Sequence, residues 1–177
     1  MIDAIEYGNA LFEISEELGK AAAVRDDIEA ASKLLAANES YVKLVDSPAL
    51  PKSERTSLIG EAFGSLDVHL VNLLKMLAER HSAYLFPKIR DAFCARYDDM
   101  MGIERVEAIS AVMLSAEQVA RLTARLSSKL GKTVVIKNTV DPSVLGGIKL
   151  RYAGIQIDGT IKARLDSFSE ALLGIVI

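Results

Sequence analysis

The sequence predicts an N-terminal all-α six-helix bundle followed by a small α+β C-terminal domain. Three observations carry this. Residues 1–105 show helical periodicity with no strand-like alternation. Three of the four prolines, Pro48, Pro51 and Pro87, fall where that periodicity stops and restarts. Beyond Arg105 the texture turns short and β-branched, as in Val106-Glu107-Ala108-Ile109-Ser110-Ala111-Val112-Met113. The two domains are therefore expected at 1–105 and 106–177.

In the first helix, Tyr7, Leu11, Ile14 and Leu18 fall at i, i+4, i+7 and i+11, one stripe, with Ile5 and Phe12 well to its side. The second runs from Ala21 to Ala37 with Ile28, Ala31, Leu34 and Leu35 in phase. A short third helix spans Ser40 to Val45 and stops at Asp46-Ser47-Pro48. The fourth opens at Pro51, which suits a first turn, and stops at Gly64. Asp67 is a good N-cap for the fifth, Val68 to Arg80. There Leu70, Val71, Leu74 and Ala78 can face a core, leaving Leu73, Met76 and Leu77 partly spare. The sixth runs from Leu85 to Arg105 with Pro87 in its first turn.

After the 106–113 strand, Ser115-Ala116-Glu117-Gln118 is a capping box that launches a helix with Val119, Leu122, Leu126 and Leu130 in phase, ended by Gly131. Strands are expected at Thr133 to Val140, Ile148 to Tyr152 and Ile155 to Ile157. Asp158-Gly159 is a turn, and Thr160 to about Gly174 is a final helix carrying Ile161, Leu165, Phe168 and Leu172. The order is β-α-β-β-β-α.

Half of the 177 residues are apolar and a quarter charged, a globular composition. The longest run free of Asp, Glu, Lys and Arg is nine residues, Ala108 to Ala116, against the roughly 20 that a bilayer span needs. The opening MIDAIEYGNALFEISEELGK is acidic and amphipathic, unlike a signal or transit peptide, and points to a bacterial-type cytoplasm. One cysteine, Cys94, excludes an internal disulfide and fits a reducing compartment. Residues 1–105 hold 12 Lys/Arg against 18 Asp/Glu, net −6, and residues 106–177 hold 9 against 6, net +3. A mildly acidic chain without a dense basic patch argues against a nucleic-acid partner. The asymmetry fits either two units meeting different partners or a chance scatter of solvated charge.

The stretch TVDPSVLGGIKLRYAG, residues 139–154, is the place where chemistry is to be weighed. A phosphate- or nucleotide-binding enzyme using the Asp141–Arg151 loop is the alternative reading. A phosphate cradle, however, needs glycines that lead straight into a helix N-terminus, with Lys-Ser/Thr after them. Here Gly146-Gly147 leads into Ile148-Lys149-Leu150-Arg151-Tyr152, which alternates as a strand does. Asp141-Pro142 starts a turn and the glycine pair permits positive φ or a bulge. Asp141 and Asp158 read as turn caps rather than paired catalytic carboxylates. Cys94, His69 and His81 lie on different expected helices with no metal or nucleophile spacing, and a lone helical Cys reads as a small buried hydrophobe. No catalytic residue, metal or cofactor is predicted.

Interaction features are stronger. The wide apolar stripes of the first and fifth helices either complete a core or leave a groove for an amphipathic partner helix. The uncharged end, Ala171 to Ile177, is expected to pack internally or on a partner.

Val140-Asp141-Pro142-Ser143-Val144-Leu145-Gly146-Gly147-Ile148-Lys149-Leu150-Arg151, followed by Ile157-Asp158-Gly159-Thr160 and Arg164-Leu165, resembles the C-terminal signature of the ATP synthase delta subunit. That family is the bacterial counterpart of the mitochondrial oligomycin-sensitivity-conferring subunit. Tyr7-Gly8-Asn9-Ala10-Leu11 resembles the family's opening, Ser47-Pro48 its link between the third and fourth helices, and Ser110-Ala111 with Leu114-Ser115 the segment joining its domains. Gly8 stands where Ala is usual, Tyr152-Ala153-Gly154 where Gly-Asp is common, and Arg80-His81-Ser82-Ala83 where Asn-x-Arg-Leu is usual. The resemblance implies a non-catalytic stator subunit, peripheral on the cytoplasmic face of a bacterial plasma membrane and membrane-associated only through the complex. Residues 1–105 would hold the N-terminal helix of an alpha subunit, and 106–177 would join the b subunits of the peripheral stalk. Tyr7, Ala10, Leu11 and Ile14, with Leu73, Met76 and Leu77, would line the alpha groove. Asp141, Pro142, Gly146, Gly147, Arg151, Asp158 and Gly159 would shape the signature hairpin.

Overall fold

The computed structural model describes residues 3–144, 146–152 and 154–160. It divides into two compact units between Met100 and Met101.

The first unit is helical: α1 (Ala4–Glu17), α2 (Ala21–Ala37), α3 (Glu39–Val45), α4 (Lys52–Phe63), α5 (Val68–Glu79), a 3-10 turn (Ala83–Leu85) and α6 (Phe86–Met100). With α7 in the second unit, the described residues hold seven α-helices. The Asp3 carboxylate accepts from the Ile5 backbone N–H at 2.9 Å and starts α1. Asp67 does the same for α5, accepting from His69 N–H at 2.8 Å. Helix α1 packs chiefly on α6, and α5 on α4. The core is built from Phe12, Ile28, Ile59, Phe63, Leu70, Leu74, Leu77, Phe86, Ile89 and Phe93, with Phe12 edge-on to Phe93 at 5.7 Å between ring centres.

Two expectations shift. The sixth helix ends at Met100, not Arg105, because the chain turns at Gly102, whose φ of +62° suits glycine. Ile103, Glu104 and Arg105 therefore open the first strand, which stops at Ser110 and not Met113. The stripe on α1 is also displaced. Its buried residues are Ala4, Gly8, Leu11, Phe12 and Ser15, a face turned by roughly 70° from the Tyr7–Leu18 stripe at 100° per residue.

A polar corner closes the end of α5. The Asp46 carboxylate accepts from the backbone N–H groups of Ala83 at 2.7 Å and Tyr84 at 3.0 Å. Arg55, only 6% exposed, donates from Nη1 to the Ala78 carbonyl at 2.7 Å and reaches His81 Nε2 at 2.9 Å. His81 Nδ1 lies 2.9 Å from the Asp46 carbonyl oxygen. These bonds hold His81 at φ +54°, a conformation few side chains adopt.

The second unit is α+β. It comprises β1 (Ile103–Ser110), α7 (Ala116–Leu130), β2 (Thr133–Val140), β3 (Ile148–Tyr152) and β4 (Ile155–Asp158). The sheet order is β2-β1-β3-β4. Strands β1 and β2 are parallel, joined through α7, while β3 is antiparallel to both β1 and β4. The capping box is present: Ser115 Oγ accepts from Gln118 N–H and Gln118 Oε1 accepts from Ser115 N–H. Gly131, left-handed at φ +66°, ends α7. The expected final helix and the 171–177 tail lie outside the described residues, apart from Thr160.

Candidate functional site

The Asp141–Thr160 region is a closed backbone corner. Ser143 N–H donates to the Asp141 carboxylate at 2.9 Å, and Val144 N–H to the Asp141 carbonyl at 3.1 Å, so Asp141 and Pro142 form a capped turn. Gly147 has φ +85°, and a Cβ there would stand 2.5 Å from the Gly159 carbonyl oxygen. Only a glycine lets the start of β3 pass so close to the end of β4. Gly159 N–H donates to the Ile148 carbonyl at 3.1 Å, and Thr160 N–H to the Asp158 carboxylate at 3.0 Å.

The two cations of this region are matched to acids. Lys149 Nζ is 3.6 Å from Asp158, its cross-strand partner. Arg151 Nη1 is 3.7 Å from Glu107 on β1, and its Nε donates to Gln156 on β4 at 3.2 Å. Hydrogen bonds from Ser143, with Lys149 nearby, hold the Asp141 carboxyl below its ordinary range. Hydrogen bonds from Thr160 and the charge of Lys149 do the same for Asp158. Both aspartates are thus turn caps held ionised. The glycines serve strand packing, and the phosphate-loop alternative finds no support.

Cys94 on α6 faces Glu29 of α2, Sγ to Oε1 at 3.7 Å. Burial, with Glu29 beside it, pushes the thiol up to about 11, so it stays protonated at neutral pH. His81 is bound into the Arg55–Asp46 corner, and His69 sits in the first turn of α5. Cys94 and these histidines form no nucleophile–base pair through any described contact. Among the described residues no cluster of three or more His, Cys, Asp or Glu could hold a metal ion.

The residues expected to line a helix-binding groove separate into two sets. Leu77 is fully buried, Leu11 is 4% exposed and Leu73 8%, so these three are core residues and not a presented surface. They point inward because α5 buries Leu70, Val71, Leu73, Leu74, Leu77 and Ala78, more of its circumference than one stripe. Tyr7 and Met76 are half-buried against that core, and Ala10 and Ile14 are exposed. With Leu18, these residues of α1 share one side: Ile14 is 40% and Leu18 51% exposed. A cavity of about 740 Å³ in the helical unit lies elsewhere, between α2, α3 and the start of α6, lined by Leu35, Ala36, Val42, Ala83, Tyr84 and Phe86.

A helical unit with an uncovered apolar stripe, joined to a small sheet whose polar groups serve its own turns, defines a protein of the structural-adaptor class. Comparison with known proteins makes this specific. A family model described as "ATP synthase delta (OSCP) subunit" matches residues 4–172. The ATP synthase subunit delta of Geobacillus sp. (strain WCH70) is 32% identical over 98% of both chains. That of Desulfotalea psychrophila is 31% identical over 97% of this chain and 96% of its own. A chain in the cryo-EM structure of the Toxoplasma gondii mitochondrial ATP synthase hexamer has the same fold, with TM-score 0.75 and 24% identity over 98% of each chain. The chain belongs to the ATP synthase delta (OSCP) subunit family. It is a structural, non-catalytic subunit of the synthase, with a stator role. No described helix is long and apolar enough to cross a membrane.

Proposed function

We propose that the chain fastens the catalytic head of the synthase to its peripheral stalk, one unit for each. The helical unit, as a six-helix bundle, holds the N-terminal helix of an alpha subunit. The α+β unit meets the ends of the b subunits. The observation that carries the first half is the side of α1 where Ala10, Ile14 and Leu18 are exposed beside the half-buried Tyr7. Met76 of α5 is the remaining accessible member of the expected set. An apolar row of this kind suits one face of an amphipathic helix.

A tether that resists torque must release slowly, and slow release comes from desolvated apolar anchors more than from rim charges. Gripping two parts of one complex also raises the effective concentration of each grip. On this reading the protein works at the cytoplasmic face of a bacterial plasma membrane. It holds the alpha–beta hexamer still while proton transport turns the rotor, so that rotation is coupled to ATP synthesis.

The test is calorimetry of the full chain with a synthetic peptide of the alpha-subunit N-terminus. Ala10→Glu with Ile14→Asp changes only exposed positions of α1, whereas Leu11→Asp would put a charge in the core and unfold the unit. The double variant is expected to lose affinity about tenfold or more. Unchanged affinity in a folded double variant places the alpha site elsewhere.

A further inference from the structure

The cavity between α2, α3 and the start of α6 belongs to neither grip of the tether. Its volume of about 740 Å³ falls within the roughly 300–1,000 Å³ typical of small-molecule sites. The floor is apolar: Leu35, Ala83 and Phe86 are buried and Val42 is half-buried. One wall is also fixed in place. The Asp46 carboxylate holds the backbone N–H groups of Ala83 at 2.7 Å and Tyr84 at 3.0 Å. The 3-10 turn thereby sets Ala83 in the floor and the Tyr84 side chain, 64% exposed, at the mouth.

Five charged residues line the cavity. Arg90 and Glu29 answer one another at 3.6 Å. Lys33 of α2 and Lys43 of α3 are exposed and have no ion-pair partner among the described residues. One further acid, Glu39, stands with them, so the unmatched charge is one cation in excess. A lysine stem lies readily along apolar surface while its ammonium group stays in water.

We propose that this cavity binds a single-chain carboxylate, its apolar chain against Leu35, Val42 and Phe86 and its head between the ammonium groups of Lys33 and Lys43. An apolar floor alone accepts any hydrocarbon, and the two unanswered ammonium groups select an anionic head. A cationic head is repelled by both. Binding costs little ordering, because Asp46 already holds the turn that walls the site.

Calorimetry of the full chain with dodecanoate, below its micelle-forming concentration, tests this. Dodecanol and dodecyltrimethylammonium serve as neutral and cationic probes of the same chain length. Dodecanoate is expected to bind at one site, about tenfold or more tighter than the cationic probe. Shortening it to octanoate is expected to weaken binding about threefold or more for each methylene lost. Lys33→Glu with Lys43→Glu changes only exposed positions and is expected to reverse the preference between the charged probes. Ala36→Phe, at another exposed position of α2, fills the cavity and is expected to weaken all three probes together. Both variants are checked for an unchanged circular-dichroism melt. Absence of dodecanoate binding, equal affinity for the two charged probes, or wild-type binding in either variant overturns the proposal. So does displacement of dodecanoate by the alpha-subunit N-terminal peptide, which would give the cavity to that peptide.

Discussion

Gly8 of α1 lies against Ile89 of α6 so closely that a Cβ on Gly8 would stand 2.5 Å from the Ile89 carbonyl oxygen and 2.6 Å from the Ala92 Cβ. This accounts for glycine where the delta-subunit pattern has alanine. A helical glycine costs up to about 1 kcal/mol relative to alanine, but here the two backbones approach within a distance that no Cβ tolerates. Gly8→Ala is therefore expected to destabilise the full chain by about 1–3 kcal/mol despite its better helix propensity, as overpacked cores do. Urea denaturation checks this, and a rise in the midpoint would show that α1 shifts freely on α6.

The Cys94 thiol is expected to react slowly with iodoacetamide at pH 8, its rate climbing toward a midpoint of about 11 against an ordinary 9.0. Burial is the leading cause and the Glu29 carboxylate the second. Glu29→Gln should move the midpoint down, because it removes a negative charge that opposes the thiolate. Alkylation rates across pH measure both. An unchanged midpoint in Glu29→Gln would show that the Glu29 charge does not contribute to the shift.

Asp141 and Asp158 are predicted to titrate below 3.8, chiefly because hydrogen bonds from Ser143 and Thr160 favour their charged forms. A carboxyl whose folded value lies below its unfolded one stabilises the fold above the unfolded value. That contribution is lost as pH falls through the folded one. The turn caps should thus weaken only in acid below 3.8 and leave the unit unaffected near neutrality. Because Lys149 lowers both, Lys149→Met should raise both midpoints toward 3.8, as read from carboxyl carbon shifts by NMR.

Local chemistry made much of the fold legible. Ser115 and Gln118 form the capping box their spacing announces, Asp67 caps α5, and Gly131 ends α7. The Asp141-Pro142 turn could also be read from residue types alone, because such signals act within a few residues. What depends on distant partners was not legible. The order β2-β1-β3-β4 rests on Ile103 meeting Thr133 and on Ser110 meeting Ile148, pairings that no local pattern encodes.

The facing of α1 was misread for a related reason. A count of apolar residues favours Tyr7, Leu11, Ile14 and Leu18, but Gly8 and Ser15 are in the buried face. Gly8 is there because α6 comes close, and Ser15 because its hydroxyl donates to the Phe12 carbonyl at 2.8 Å and so carries no unmet polar group inward. Periodicity leaves Leu73 and Leu77 partly spare because it does not report how many neighbours surround a helix, whereas α5 buries both. The end of α6 was set too late because Met100, Met101 and Ile103 continue an apolar texture that helix and strand share, and only Gly102 marks the break.

The position of β1 has a mechanical meaning. It begins at Ile103, two residues beyond the junction of the units, and is hydrogen-bonded on both sides, to β2 over eight residue pairs and to β3 over four. A pull on Ile103 directed along β1 would draw this strand lengthwise between its two neighbours. Its cross-strand bonds then share the load together instead of opening one after another, as they would if an outer strand were peeled away. The strand that receives the pull is the one the sheet grips from both sides.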